Sequence, residues 1–222
     1  MASMSDNGKV LAIASQKEVS VYNNFLHDKW IPIGQIISMN TDATAGDHDN
    51  DNYNNHDGED DDAYLIQTIS LSYDGKVVAI GSSGNVYVYQ LNISTMEWNL
   101  VGDKNSGIGN YSGKALSLSN NGEMVAIGTC SNITNLTTIP TSDSMTSSFA
   151  DRISTQTLNT AGISITLCNC SVFKFDPIFK KWNEIGNSIR LGKSSYDSPM
   201  ILSLSHNGQK LAVVHNGDET SL

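Results

Sequence analysis

The chain has 222 residues, enough for a single all-β domain with a sizeable core. Charged residues make up only 16% of it, while glycine, serine, threonine and asparagine are plentiful, a mixture that excludes a coiled coil or helical bundle. The net charge of −10 is local: residues 41–62 hold nine acids and no Lys or Arg, and removing those nine from 23 leaves 14 acids against 13 bases.

A body that close to neutral is poorly suited to gripping a phosphate backbone, so no nucleic acid is expected as a partner. No run of about 18 apolar residues marks a membrane span. Residues 1–16 lack the basic start and apolar stretch of a signal peptide.

One unit recurs along the chain. It opens as Met4-Ser-Asp-Asn-Gly8 followed by Val10-Leu-Ala12-Ile, then Val19-Ser-Val-Tyr22, then Trp30 and Gly34. Asn7-Gly8 reads as a hairpin turn of type I′, in which both central residues take positive φ. The acidic insert at 41–62 follows and is expected to be a disordered arm. The second unit runs Leu71-Ser-Tyr-Asp-Gly75, Val77-Val-Ala79-Ile, Val86-Tyr-Val-Tyr89, then Trp98 and Gly102. The third runs Leu118-Ser-Asn-Asn-Gly122, Val125-Ala126-Ile, then an insert rich in Ser and Thr at 130–168, Val172-Phe-Lys-Phe175, Trp182 and Gly186. A last half unit carries Leu204-Ser-His-Asn-Gly208 and Leu211-Ala212-Val-Val214.

The unit translates into strands. Ile69 and Leu71 alternate with Ser70 and Ser72, the period of a half-buried strand. The returning strand Val77–Ile80 is apolar on both faces, as in a sheet covered on both sides. The alanine at 12, 79, 126 and 212 suits a close approach of packed sheets. All three tryptophans share one repeat position, which predicts that they are equivalent and buried. The basic period, from Gly75 to Gly122, is 47 residues. Four antiparallel strands at that period make a β-propeller blade. The expectation is one partial all-β propeller over residues 1–222, about three and a half four-stranded blades, interrupted by the two inserts.

The Leu-Ser-x-Asp/Asn-Gly hairpin with Val-Ala-Ile-Gly and Val-x-Val-Tyr resembles propeller repeats of the broad WD-repeat-like and YVTN-like class. Tyr111-Ser-Gly-Lys-Ala-Leu-Ser-Leu-Ser with Val125-Ala-Ile-Gly128 is similar to the FG-GAP repeats of integrin-type propellers. Two departures stand out. The Gly-His and Trp-Asp signatures of WD repeats are absent, and Ser72-Tyr73-Asp74-Gly75 keeps only the last turn of an FG-GAP calcium cage.

Candidate ligand groups are few. Asp47, Asp49 and Asp51 have the opening spacing of an EF-hand loop, but Asn52 and Gly58 stand where Gly and Glu are required. His48 and His56 could add a loose transition-metal site in the same insert. Cys168-x-Cys170 lacks the second pair a zinc site would need. Inert thiols are the first expectation for the three cysteines; the alternative is a bridge from Cys130 to Cys168 or Cys170, which would staple the base of the second insert in an oxidising compartment. No Gly-x-Ser-x-Gly, phosphate-cradling glycine loop or His-Glu-x-x-His occurs.

These observations lead to expectations of no catalytic residues, no metal and no cofactor. They describe a non-catalytic propeller that binds a protein partner or ligand through its loops. An extracellular FG-GAP-type adhesion propeller is one alternative, and a propeller-fold enzyme whose catalytic blades lie elsewhere is another. The compartment follows the chain's extent: cytoplasmic if Met1 is the true start, secreted or at the cell surface if the chain is a fragment. Three and a half blades leave an open arc, so self-association to complete a ring, or membership of a longer propeller, is expected.

Overall fold

The computed structural model describes residues 1–24, 29–39, 65–82, 84–102, 107–109, 113–133, 165–194 and 199–215. Both expected insert regions fall largely elsewhere: residues 40–64, with Asp47, Asp49 and Asp51, and residues 134–164 lie outside the described residues. Among the described residues every regular element is a strand and all pairing is antiparallel. No helix there is long and apolar enough to cross a membrane.

The first sheet runs in the order β1 (Ala2–Met4), β2 (Val10–Ala14), β3 (Glu18–Asn23), with its outer position split into β4 (Ile31–Pro32) and β5 (Ile37–Ser38). The second repeats this order with β6 (Ile66–Leu71), β7 (Val77–Ser82) and β8 (Asn85–Asn92), flanked by β9 (Glu97–Leu100) and β10 (Ile108–Gly109). The third holds β11 (Ala115–Leu118), β12 (Met124–Ile133), β13 (Ile165–Asp176) and β14 (Lys181–Ser194). A hairpin of β15 (Met200–Leu204) and β16 (Leu211–His215) closes the described chain. First strands of successive sheets pack on one another, β1 on β6, β6 on β11 and β11 on β15. The result is a propeller-like all-β fold whose sheets fan out from their first strands.

Each of the hairpins joining the first two strands of a sheet is built by the same serine. Ser72 Oγ donates to Asp74 Oδ1 at 3.0 Å and accepts the Val77 N–H at 3.0 Å, while Asp74 Oδ1 accepts the Lys76 N–H at 3.1 Å. Ser5 with Asn7, Ser119 with Asn121 and Ser205 with Asn207 repeat the pattern. The expected type I′ turn is corrected here. Only the glycine takes positive φ, about 70° at Gly75, and neither Asp74 nor its equivalents do. The side chains satisfy the loop N–H groups, so a four-residue turn closed by Gly75 N–H to Ser72 C=O replaces the two-residue one.

Three further devices join neighbouring sheets. The preceding serine of the motif reaches across: Ser3 Oγ accepts the Leu71 N–H at 3.2 Å, Ser70 the Leu118 N–H at 3.1 Å and Ser117 the Leu204 N–H at 2.9 Å. The hairpin glycines Gly75, Gly122 and Gly208 each rest on the sheet before them, while Gly8 faces open space. A Cβ on Gly75 would stand 2.3 Å from Val10 Cβ, and one on Gly122 would stand 2.6 Å from Val77 Cβ. The third device is the tryptophan. Trp98 donates from Nε1 to the Ile33 carbonyl at 3.0 Å, and Trp182 donates to the Val101 carbonyl at 3.0 Å. Ile33 and Val101 are themselves three residues past a tryptophan, so each ring is received by the Trp-x-x-x-Gly segment of the sheet before it.

That geometry corrects the expectation of three equivalent buried tryptophans. Trp98 is 4% exposed, Trp182 is partly buried and Trp30 is 40% exposed. Trp30 belongs to the first described sheet, and no other sheet among the described residues receives its ring. The alanine position behaves in the same way. Ala12, Ala79 and Ala126 are fully buried, whereas Ala212, in the last hairpin, is exposed. Ile201 and Val214 stand exposed beside it. At the other end of the described chain Met4 and Ile13 are exposed.

Candidate functional site

The serine-built turns gather at one end of the sheets. Within each, Ser, Asx and Gly are repeated and the second residue changes: Asp6, Tyr73, Asn120 and His206. Backbone bonds tie consecutive turns together, the Tyr73 N–H to the Asn120 carbonyl at 3.1 Å and the Asn120 N–H to the His206 carbonyl at 3.1 Å. This stitching brings Tyr73, Asp74, Asn120, Asn121, His206 and Asn207 around one open hollow of about 480 Å³.

The side chains there form a connected set. The Asn120 amide nitrogen meets His206 Nδ1. The contact ties the ring of one turn to the amide of the next. The Tyr73 ring lies 6.5 Å from the His206 ring at 57°, the tilted geometry aromatic pairs favour. Partial burial disfavours the charged form of Asp74, but hydrogen bonds from Lys76 and Ser72 and the Lys76 charge outweigh it and hold the carboxyl below its ordinary value. The ion pair itself, Lys76 Nζ to Asp74 Oδ2 at 3.1 Å, is solvent-exposed and adds little. Among the described residues no Lys or Arg lines the hollow.

In the sequence His206 stands within its turn motif, Leu204-Ser-His-Asn-Gly208, with nothing to join it to Tyr73 and Asn120. The available signal was the one variable position in an otherwise constant turn. The cysteines resolve differently. Cys130 and Cys168 face each other across β12 and β13, 4.1 Å apart at Cα, and are disulfide-bonded. Cys170 is free and fully buried, and burial pushes its thiol up to about 11.

No protein-family model and no curated protein matches the chain, so neither the WD-repeat-like nor the FG-GAP resemblance has family support. Among solved structures it is similar to a putative 6-phosphogluconolactonase of Bacteroides fragilis, at 12% identity and a TM-score of 0.45, over 86% of this chain and 38% of that one. It is likewise similar to a protein of the same description from Bacteroides uniformis, at 13% identity and a TM-score of 0.43, over 85% and 39%. The chain spans less than half the length of either. The expectations that the chain is not an enzyme and that it is a non-catalytic interaction module find no support in these neighbours. Both are described as enzymes. Those expectations rest on the absence of catalytic motifs in the linear sequence, and a linear motif does not register side chains that several repeats bring together.

Proposed function

We propose that the turn end is part of the ligand-binding end of a propeller-fold enzyme that opens a small, uncharged, oxygen-rich substrate by hydrolysis. The observation that carries this is the contrast within the repeat. Ser, Asx and Gly suffice to build the turn, so the residue between them has no structural duty there, and in three successive repeats it delivers Tyr73, Asn120 and His206 to one hollow.

The chemistry on offer is proton transfer. Asn120 orients the His206 ring, whose neutral imidazole would take the proton of a water attacking a carbonyl carbon and return it to the oxygen that leaves. Tyr73 supplies a flat wall and a hydroxyl. Among the described residues the lining holds no Lys or Arg, which favours a neutral substrate over a phosphorylated one.

A matched pair of sugar lactones tests the reading, one plain and one phosphorylated. The protein should speed opening of the plain lactone above its spontaneous rate, and His206→Ala should lower that acceleration by about 10²–10⁴-fold with an unchanged melting temperature. Failure to accelerate either lactone, together with no shift of the His206 ring signals in nuclear magnetic resonance on adding them, would sink the proposal.

A further inference from the structure

A second cluster of chemistry-bearing groups lies away from the turns, where β16 packs beside the third sheet. Cys130 of β12, Cys168 of β13 and His215 of β16 bring their sulfur and imidazole nitrogen atoms within 4.8 Å of one another. Cys130 is 4% exposed and Cys168 1%. His215 Nε2 is buried and has no hydrogen-bond partner among the described residues. Ala115, Ala126, Met200 and Leu202 surround the cysteines with apolar surface. An imidazole nitrogen left unpaired in such a place is unfavourable unless something else uses it.

We propose that Cys130, Cys168 and His215 form a redox-gated zinc site. In the disulfide state the sulfurs are bonded to each other and His215 Nε2 stays unpaired. A dithiol reductant delivers two electrons and two protons to the Cys130–Cys168 bond. That bond breaks, two thiols form, and the reductant leaves as its own disulfide. One Zn²⁺ then displaces both thiol protons to solvent and binds two thiolates and Nε2, keeping a fourth position open. Tetrahedral zinc holds sulfur at about 2.3 Å and nitrogen at about 2.0–2.1 Å. Its ligand atoms are therefore about 3.5–3.8 Å apart: the two sulfurs, bonded to each other in the disulfide, part to that distance once reduced, and the imidazole already lies within 4.8 Å of both. Two thiolates with an imidazole are a donor set that suits zinc over magnesium or calcium.

Three separate strands supply the ligands, and residue 130 pairs with 168 while His215 comes from the last hairpin. An ion there would join the third sheet to the hairpin across a seam that the disulfide, confined to the third sheet, does not cross. Cys170 belongs to the same apolar cluster but is outside the three-ligand group.

The test uses the full chain, reduced with a dithiol that is then removed without air, and titrated with Co²⁺ as a spectroscopic stand-in. One Co²⁺ per chain should bind with a thiolate-to-cobalt charge-transfer band, release two protons, and be displaced by Zn²⁺. The oxidised protein should bind none. His215→Ala should weaken binding at least about 100-fold, beyond the 10–100-fold that outer-shell partners of a metal site cost, while Cys170→Ala leaves the stoichiometry unchanged. Circular dichroism checks that the reduced chain keeps its strands. The proposal fails if the reduced chain unfolds, if it stays folded and takes up no Co²⁺ at micromolar concentrations, or if His215→Ala binds as tightly as the parent.

Discussion

Replacing each tryptophan in turn by alanine separates repeat position from tertiary environment. Trp98 is the strongest case. Its ring is 4% exposed, its Nε1 donates to the Ile33 carbonyl at 3.0 Å, and the Gln35 side chain pairs with both its backbone groups, at 2.8 and 2.9 Å. Removing a large buried aromatic costs about 3–5 kcal/mol, and the Ile33 carbonyl is left unpaired as well. Trp30, at the same place in its repeat but 40% exposed, should cost less than about 1 kcal/mol, in the range of surface substitutions. Trp182, partly buried with one bond to Val101, should fall between them.

The receiving glycine gives a second handle. A Cβ on Gly34 would stand 2.5 Å from Trp98 Cδ1, and the residue sits at φ +71°. Gly34→Ala therefore carries a backbone penalty of about 1–3 kcal/mol plus a collision with the ring, and only the collision disappears in a Trp98→Ala background. A double-mutant cycle by urea unfolding should show coupling of about 1 kcal/mol or more between the two sites. Equal costs for Trp30→Ala and Trp98→Ala, or strict additivity of Gly34→Ala with Trp98→Ala, would falsify the argument that neighbouring sheets are joined through this contact.

Other outcomes follow from the same geometry. Ser70→Ala leaves the Leu118 N–H without its partner and should cost about 1–3 kcal/mol, whereas Ser203→Ala, at the exposed equivalent position, should be nearly neutral in the same denaturant assay. Asp74→Asn should keep the turn, since Asn7, Asn121 and Asn207 accept the same bonds. The Asp74 carboxyl is held below its ordinary value when folded, so its contribution is present above that ordinary value and is lost as pH falls through the folded one. The unfolding midpoint of the parent should therefore drop more steeply in acid than that of Asp74→Asn; parallel profiles would remove Asp74 from the account. Cys170, buried with its thiol pushed up to about 11, should resist iodoacetamide at pH 8 in the folded protein and react once urea unfolds it; rapid labelling of the folded chain, followed by mass spectrometry, would contradict its placement.

What the sequence determined by itself is the local architecture. The Asx-Gly turns, the alternation at Ile69–Ser72 and the 47-residue spacing from Gly75 to Gly122 establish the hairpins, the strands and their repetition. Each depends on hydrogen bonds and side-chain alternation within one unit. Even there the turn type was missed, because Ser72 Oγ and Asp74 Oδ1 compete with the backbone for the loop N–H groups. The tertiary structure decided everything that needs a second unit beside the first. Identical serines became seam residues at 3, 70 and 117 because a leucine N–H from the next sheet reaches them. Identical tryptophans diverged because the sheets before them receive Trp98 and Trp182, while no sheet among the described residues receives Trp30. Tyr73, Asn120 and His206 met at one hollow, and His215 met a cysteine pair more than 40 residues before it in the chain. A repeat records what each unit does in the same way. It carries no mark of which neighbour is present, and burial, pairing and site chemistry are properties of the neighbour.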